Sequence, residues 1–480
     1  MSEGCWIMKK MKMDKSNLCQ KILLVNPPWR VYEKSNKTLG GLPLGIMYIA
    51  STLKKEGYAV KVLDALCPDI QFKKDTYTHV GMSWEDIAKI IREYNPDFVG
   101  ISSQFTSQVD NVIEIAKLVK SINPKIKVIV GGPHPSAFPS DFIKRMEFDY
   151  IVQGEGEYVL MDIINKKIRK KLIKAKIITA LDALPFPAYD LVDMKRYINT
   201  KIKHHDSTIA GGIPFITSRG CPYDCVFCSI KLCMGSVWRS HSAEYVISHL
   251  KHLVENYGVR GVHFEDDNFT LDINRTYKIL HGIIDNNLKI SWDTPNGVRA
   301  DRLNENLIKL MKQSGCVELR VSPESGSQRV INKIIGKNLK LSTVEDVAFW
   351  CKKYGIRLVA FFVYGLPGET KEEIKKTFLY GEYLRDKYGV TPSFAIATPL
   401  IGTRLYKICK QRGYLIKEPT YQDYATGTKI GLIQTDEFSP KYLEEIMREY
   451  HRRYYKKHPL NLLMELIKKP KLFKSIIKVR

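Results

Sequence analysis

The 480-residue chain predicts an α/β protein in three parts. These are an N-terminal Rossmann-like (flavodoxin-like) parallel sheet, a partial TIM-like (β/α)6 barrel and a helical C-terminal extension. Three observations predict this. Short apolar runs alternate with helix-period segments from residue 21 to about 170. The alternation resumes at 215 and supplies six more strand candidates. The end of the chain is basic, with leucines and isoleucines interspersed. Strands separated by helices of roughly 10–15 residues argue for βαβ units and parallel sheets. A chain this long is expected to hold two to three domains. The expected boundaries are 21–170, a linker at 171–210, a barrel at 211–410 and a basic extension at 411–480.

In the first part, KILLVN (21–26) is a strand ended by Pro27 and Pro28. Leu44, Met47, Ile49, Ala50 and Leu53 have helical spacing over 43–56, closed by Gly57. Next come a strand AVKVLD (59–64), a helix WEDIAKIIREY (84–94), a strand DFVGIS (97–102) and a helix over 107–121. KVIVGG (127–132) and DYIVQG (149–154) close the set, with a helix beginning near Glu155. Ligands of such sheets bind beyond the carboxyl ends of the strands. Those ends carry Ser102 and Ser103, Gly131 and Gly132, and Gly154-Glu155-Gly156-Glu157. Small residues there let a bulky ligand approach the backbone. In the linker, Pro185 and Pro187 favour extended chain. Lys203-His204-His205-Asp206 reads as a solvated loop rather than a metal site.

The second part starts with FITSR (215–219), then VHFED (262–266), SWDTP (291–295), VELRVS (317–322), LVAFFVYG (358–365) and SFAIAT (393–398). Helices are expected at 242–256, 272–286, 304–314, 341–354 and 370–387. Chemistry in such barrels sits at the carboxyl ends of the strands.

Composition narrows the class. A hydrophobic fraction of 44% is ordinary for a globular protein. No run of about eighteen apolar residues appears, and the start MSEGCWIMKKMKMDK has no apolar core of a signal peptide. A cytoplasmic location is therefore expected. The net charge is +24. Residues 451–480 contribute ten Lys or Arg against Glu465 alone. That mix suits either an amphipathic segment on the anionic inner face of a membrane or a helical cap with solvated lysines. No nucleic-acid-binding module accompanies the charge, so no nucleic-acid partner is expected.

The sharpest motif is SRGCPYDCVFCS (218–229), which places Cys221, Cys225 and Cys228 in a C-x-x-x-C-x-x-C array. Three close thiolates can hold one iron–sulfur cluster and leave one iron without a protein ligand. Zinc would need a fourth donor, and no Cys or His stands at a suitable offset; Cys233 lies five residues on. A disulfide framework does not suit a long chain with scattered cysteines and no secretory leader.

The array, with Phe227 before its last cysteine, resembles the signature of the radical S-adenosylmethionine (SAM) enzymes. The order GISS, GGPHPSAFP and VQGEGE resembles the cobalamin-binding domain that precedes many radical SAM domains. The resemblance spans about 21–470. It implies a [4Fe-4S] cluster, SAM and cobalamin as cofactors, a reductant such as ferredoxin or flavodoxin, and a small-molecule substrate. SAM would bind the free iron and, on reduction, yield a 5′-deoxyadenosyl radical. The resemblance assigns Phe227, Glu265, Asp266, Ser322, Glu324 and Gly365 to SAM. It assigns Ser102, Ser103, Gln104, Gly131, Gly132, Gly154 and Glu155 to cobalamin. Helix capping is the competing role for the polar residues at strand ends. Many cobalamin domains carry Asp-x-His-x-x-Gly, whose His binds cobalt; here DALCPD (64–69) has Leu66 at that place. His134 and Gln104 are the other candidates for the lower face of the ring.

For this class the resemblance implies methyl transfer to an unreactive carbon. The basic, apolar tail points to a lipid, isoprenoid or tetrapyrrole substrate. Radical cyclisation or rearrangement without methyl transfer is the alternative. A radical SAM methylthiotransferase acting on RNA or protein would need three more cysteines in the first domain. That domain has only Cys67, with Cys5 and Cys19 ahead of it. A non-enzymatic cobalamin sensor would not need the cysteine triad.

Overall fold

The computed structural model describes residues 20–32, 41–67, 69–200, 207–426 and 430–459. The 203–206 loop, Cys5, Cys19 and the tail beyond 459 lie outside the described residues.

The first sheet has six parallel strands: β1 (Lys21–Asn26), β2 (Ala59–Asp64), β3 (Phe98–Ser102), β4 (Lys127–Gly131), β5 (Tyr150–Gln153) and β6 (Leu172–Lys174). Their order is β2-β1-β3-β4-β5-β6. This is the flavodoxin-like order with one strand added, and it reverses direction between β1 and β3. Leu23, Val25, Val99, Ile101, Val128 and Val130 fill one face. Ile22, Leu24, Phe98, Ile129 and Val152 fill the other. Burial on both faces explains why KILLVN reads as a continuous apolar run.

The expected linker contributes β6, a three-residue strand with too few side chains to show a pattern. The helix expected near Glu155 runs over Val159–Ile164; the ion pairs of Glu155 and Glu157 fix the chain before it. A small antiparallel sheet, Trp29–Tyr32 with Tyr77–Val80 and Gln71–Lys73, flanks the carboxyl end of β1 and has no sequence signature.

The second sheet is β7 (Ile213–Phe215), β8 (Gly261–Phe264), β9 (Ser291–Asp293), β10 (Cys316–Glu324), β11 (Arg357–Tyr364) and β12 (Thr391–Ile396). All five neighbouring pairs are parallel and follow chain order. Helices Ala243–Tyr257, Ile273–Asp285, Glu305–Gln313, Leu341–Tyr354 and Lys371–Tyr388 fill the five crossovers. Ser242, Asp272, Asn304 and Thr370 cap four of them through side-chain oxygens. The strand expected at 215–219 splits. Only Phe215 lies in β7, which starts two residues earlier than expected, while Ser218–Arg219 leaves the sheet and pairs antiparallel with Arg239–Ser240. The cysteine loop (220–229) opens the excursion between these two short strands.

The helix Pro440–Lys457, capped by Ser439, packs on the last crossover helix and β12. Leu443, Ile446 and Tyr450 are buried, and the Tyr450 ring packs on Phe378 and Phe394. Arg453 pairs with Glu382 at 3.1 Å and Lys457 with Asp386 at 3.5 Å. This part of the basic extension is a packed cap. Among the described residues no helix is long and apolar enough to cross a membrane.

The linker packs through aromatic rings. His249 accepts or donates a bond with the Tyr189 hydroxyl at 2.9 Å and stacks on Phe186. His241 stacks on Tyr245 and bonds Asp182 at 3.1 Å. Burial pushes the His241 pKa down to about 4 and that of His249 well below its usual value. Both folded pKa values lie below the unfolded value of about 6.5, so the unfolded chain binds more protons in mild acid. The stability that this provides is complete above pH 6.5 and is lost as pH falls toward 4. Each histidine should cost on the order of 1–2 kcal/mol between pH 7 and 5. Urea midpoints at the two pH values check this; His241→Asn with His249→Gln should flatten the difference.

Candidate active site

The carboxyl ends of both sheets come together. A Cβ placed on Gly154, just after β5, would stand 3.9 Å from the Cys233 carbonyl oxygen in the segment that follows the cysteine loop. Gly402 lies between Ala137 and Leu232 in the same way.

The cysteine loop is fixed at its base by two carboxylates after β8. Asp266 is buried and accepts from the Thr217 amide at 3.1 Å, from the Thr217 hydroxyl at 2.6 Å and from the Ser218 hydroxyl. Asp267 accepts from the Gly220 amide at 2.7 Å, and burial pushes its pKa up to about 7. Further along, the Val226 amide donates to Ile335 (3.1 Å), and the Val226 carbonyl accepts from the Leu405 amide (2.9 Å). Ile335 ends a π-helical turn, Val330–Ile335, a rare geometry found mostly at functional sites. Phe227 packs against the core around Val226, Leu366 and Phe378.

Cys221 and Cys225 are half-buried, Cys228 is exposed, and all three are free thiols. Partial burial raises the pKa values of Cys221 and Cys225. Arg299 and Lys337 act against burial at Cys221 and Cys225 by favouring the thiolate. Lys337 also joins two expected SAM residues: its ammonium donates to the Ser322 carbonyl at 2.6 Å and to Glu324 at 2.7 Å. Glu324 has φ +68°, so its side chain leaves β10 from a left-handed position. Burial raises its pKa, and Lys337 opposes that rise. Glu265, just after β8, is half-buried, and its carbonyl accepts from Asn296 at 2.9 Å. After β11, Gly365 has φ +84°. The following turn is held by Glu369, which accepts from the Leu366 amide at 2.6 Å and is pushed up to about 8 by burial.

On the first sheet, Asn26, Pro27, Trp29, Ser102, Gln104, Phe105 and Gln108 line a shallow cleft where strand order reverses. Ser103 is fully buried, and its hydroxyl has no partner among the described residues. Gly132 has φ +116°, and a Cβ there would stand 2.8 Å from the Ser103 carbonyl oxygen. Gly132 therefore packs directly on the Ser103 backbone, whose amide donates to the Gly131 carbonyl at 2.8 Å, so the two strand ends are fixed against each other. Gly132→Ala should cost about 1–3 kcal/mol through strain and reduce corrinoid bound per chain. Absorbance of the reconstituted protein checks the second effect.

Three expected site residues have other partners. Glu155 faces Arg219 and Arg239 at 2.8 and 2.6 Å and accepts from the Ile178 amide, so its carboxylate is spent on joining the domains. Asp266 is likewise spent on the loop base. His134 has both ring nitrogens engaged, with Thr106 at 2.9 Å and Asp141 at 2.8 Å, which leaves neither for cobalt. Leu66 is buried. Asp64, from the same sequence region, bonds Asn26 at 2.8 Å and pairs with Arg196 at 2.6 Å. Lys337 and Arg299 were not identified from sequence. Asp267 and Glu369 stood in stretches read there as SAM contacts, Glu265-Asp266-Asp267 and Gly365-Leu366-Pro367-Gly368-Glu369-Thr370, and here they hold the cysteine loop and the turn after β11.

Comparison with known proteins gives the class. Residues 39–164 match the B12 binding domain and residues 215–380 the radical SAM superfamily. The chain belongs to the cobalamin-binding-domain radical SAM enzymes. It is 32% identical to the uncharacterized methyltransferase PH0819 of Pyrococcus horikoshii over 457 residues, 91% of this chain and 92% of that one. It is 29% identical to the cytidylyl-2-hydroxyethylphosphonate methyltransferase of Streptomyces wedmorensis, with 86% of each covered. The fold is shared with the cobalamin-dependent SAM radical enzyme OxsB at a TM-score of 0.70 and 18% identity, covering 90% of this chain and 66% of that one.

The residues present suit the cofactors of these two domains: a [4Fe-4S] cluster, SAM and cobalamin. Three free thiols on one anchored loop are a cluster donor set, with two cations favouring thiolate at Cys221 and Cys225. Among the described residues no three His, Cys, Asp or Glu are spaced for a single metal ion; the ligands of a cluster each bind a separate iron. The buried, unpartnered Ser103 hydroxyl among the small residues of these strand ends suits a corrinoid.

Proposed function

We propose that this radical SAM enzyme methylates an unactivated carbon of a small molecule, with cobalamin as methyl carrier. The juxtaposition of Gly154 and the segment after the cysteine loop carries this reading, because it lets a group on one sheet meet a radical formed on the other. The cluster and SAM supply the radical and cobalamin the methyl group. Cys221, Cys225 and Cys228 hold the cluster, with Asp266 and Asp267 fixing the loop under it. Glu265, Ser322, Glu324, Gly365 and Phe227 surround SAM, with Lys337 orienting Ser322 and Glu324. Ser102, Ser103, Gln104, Gly131, Gly132 and Gly154 receive the corrinoid. The Trp29–Phe105 cleft would take part of the corrinoid, and Leu66 would offer cobalt no imidazole.

A hydrophobic lipid, isoprenoid or tetrapyrrole substrate is supported by more distant relatives: hopanoid C-3 and C-2 methylases at 24% and 26% identity and a bacteriochlorophyllide methyltransferase at 22%. A second reading, a phosphorylated anionic substrate, is favoured by the nearer Streptomyces relative and the +24 charge. Reconstituted protein with SAM, hydroxocobalamin, a low-potential reductant and fractionated lipid or nucleotide extracts separates them. Methyl transfer predicts 5′-deoxyadenosine together with S-adenosylhomocysteine. 5′-Deoxyadenosine alone with a converted substrate would favour cyclisation, the activity named for relatives at 22% identity.

A further inference from the structure

Arg299 follows β9 and precedes the short turn Ala300–Arg302. Its guanidinium carbon stands 3.8 Å from the centre of the Tyr223 ring. Tyr223 lies in the cysteine loop, between Cys221 and Cys225. Two of the three guanidinium nitrogens are spent. Nε donates to Asp301 at 2.9 Å, and Nη2 donates to Asp301 and to the Lys337 carbonyl, each at 2.9 Å. The side chain is 8% exposed. Nη1 is buried and has no partner among the described residues. A buried N–H without an acceptor is costly, more so on a charged group. The fork is fixed in plane by Asp301, Lys337 and the Tyr223 ring, so Nη1 cannot turn away to find water. The Tyr223 ring stands two residues from both Cys221 and Cys225, so the stacked guanidinium lies against the stretch of loop that carries these sulfurs.

We propose that Arg299 Nη1 donates a hydrogen bond to a sulfur of the cluster and raises its reduction potential. The inference rests on the cysteine loop holding that cluster. Hydrogen bonds to sulfur and nearby positive charge stabilise the more negative, reduced state. Tyr223 is the positioning residue: its ring holds the guanidinium plane against the loop.

The test is an EPR-monitored redox titration of anaerobically reconstituted wild-type protein and Arg299→Gln without SAM, with iron and sulfide counted on the same samples. The expected result is a fully loaded variant whose reduction equilibrium is at least tenfold less favourable, a midpoint 59 mV or more lower for one electron. A loaded variant with an unchanged midpoint overturns the inference alone. An iron-free wild-type protein overturns the cluster reading as well. A second measurement needs no variant. Wild-type protein grown on 15N-arginine should show a labelled-nitrogen coupling in pulsed EPR of the reduced cluster, and its absence overturns the hydrogen bond even if Arg299→Gln fails to fold.

Discussion

Alanine at Cys221, Cys225 and Cys228 together should leave a folded chain that binds no iron and forms no 5′-deoxyadenosine. The fold should survive because these side chains are half-buried or exposed and lie on a loop rather than in a sheet. The loop's anchors are backbone bonds to Ile335 and Leu405 and carboxylate bonds to Thr217, Ser218 and Gly220, none of which uses a thiol. Activity should fall to background, since the radical arises only on SAM bound to the cluster. Cys233 gives the discriminating control. Its sulfur contacts the Ser229 and Ile230 carbonyls within its own short helix. Cys233→Ala should therefore keep its iron, whereas a zinc site completed by Cys233 would lose its metal in either variant. Cys316, Cys351 and Cys409 are buried in the cores, so their alanine variants should lower stability with cluster content unchanged. Iron retained by the triple variant, or lost from Cys233→Ala, would end the cluster assignment.

The sequence made the long elements legible because burial on both faces writes a continuous apolar run or a helical stripe. AVKVLD, WEDIAKIIREY and the helix at 341–354 match their observed bounds. Three-residue strands such as Leu172–Lys174 and Gln71–Lys73 carry no such pattern. The cysteine spacing was legible because its ligands come from one loop. Partnerships across the fold were not. Glu155 stands at a strand end, where a ligand contact is expected, yet its partners Arg219 and Arg239 lie 64 and 84 residues on. Asp266 meets Thr217 across 49 residues, and nothing in its neighbours announces that. Lys337 was missed for the same reason, since it reaches back to Glu324 over a π-helical turn that has no sequence pattern.

Arg219→Met should lower stability by about 3–5 kcal/mol, the usual cost of removing one partner from a buried ion pair. Arg219 Nη1 lies 2.8 Å from Glu155 and 2.7 Å from Glu157, with all three side chains almost fully buried. Its guanidinium also sits 5.1 Å over the Tyr48 ring. Burial alone would lower its pKa, but the two carboxylates raise it above the ordinary arginine value, so the charge is permanent. Removal leaves Glu155 with Arg239 and strands Glu157 in a dry interface. Because the stranded charge dominates the cost, Arg219→Met with Glu157→Leu should recover part of the loss, a coupling that a double-mutant cycle on denaturant midpoints measures. The same network joins the loop after β5 to Ser218–Arg219 and Arg239–Ser240, the strands that carry the cysteine loop. Arg219→Met should therefore also slow methyl transfer relative to 5′-deoxyadenosine formation, since the proposed function would divide the radical source and the methyl carrier between the two domains. Equal loss of both products would mean that the network supports the cluster loop alone and does not set the distance between the domains.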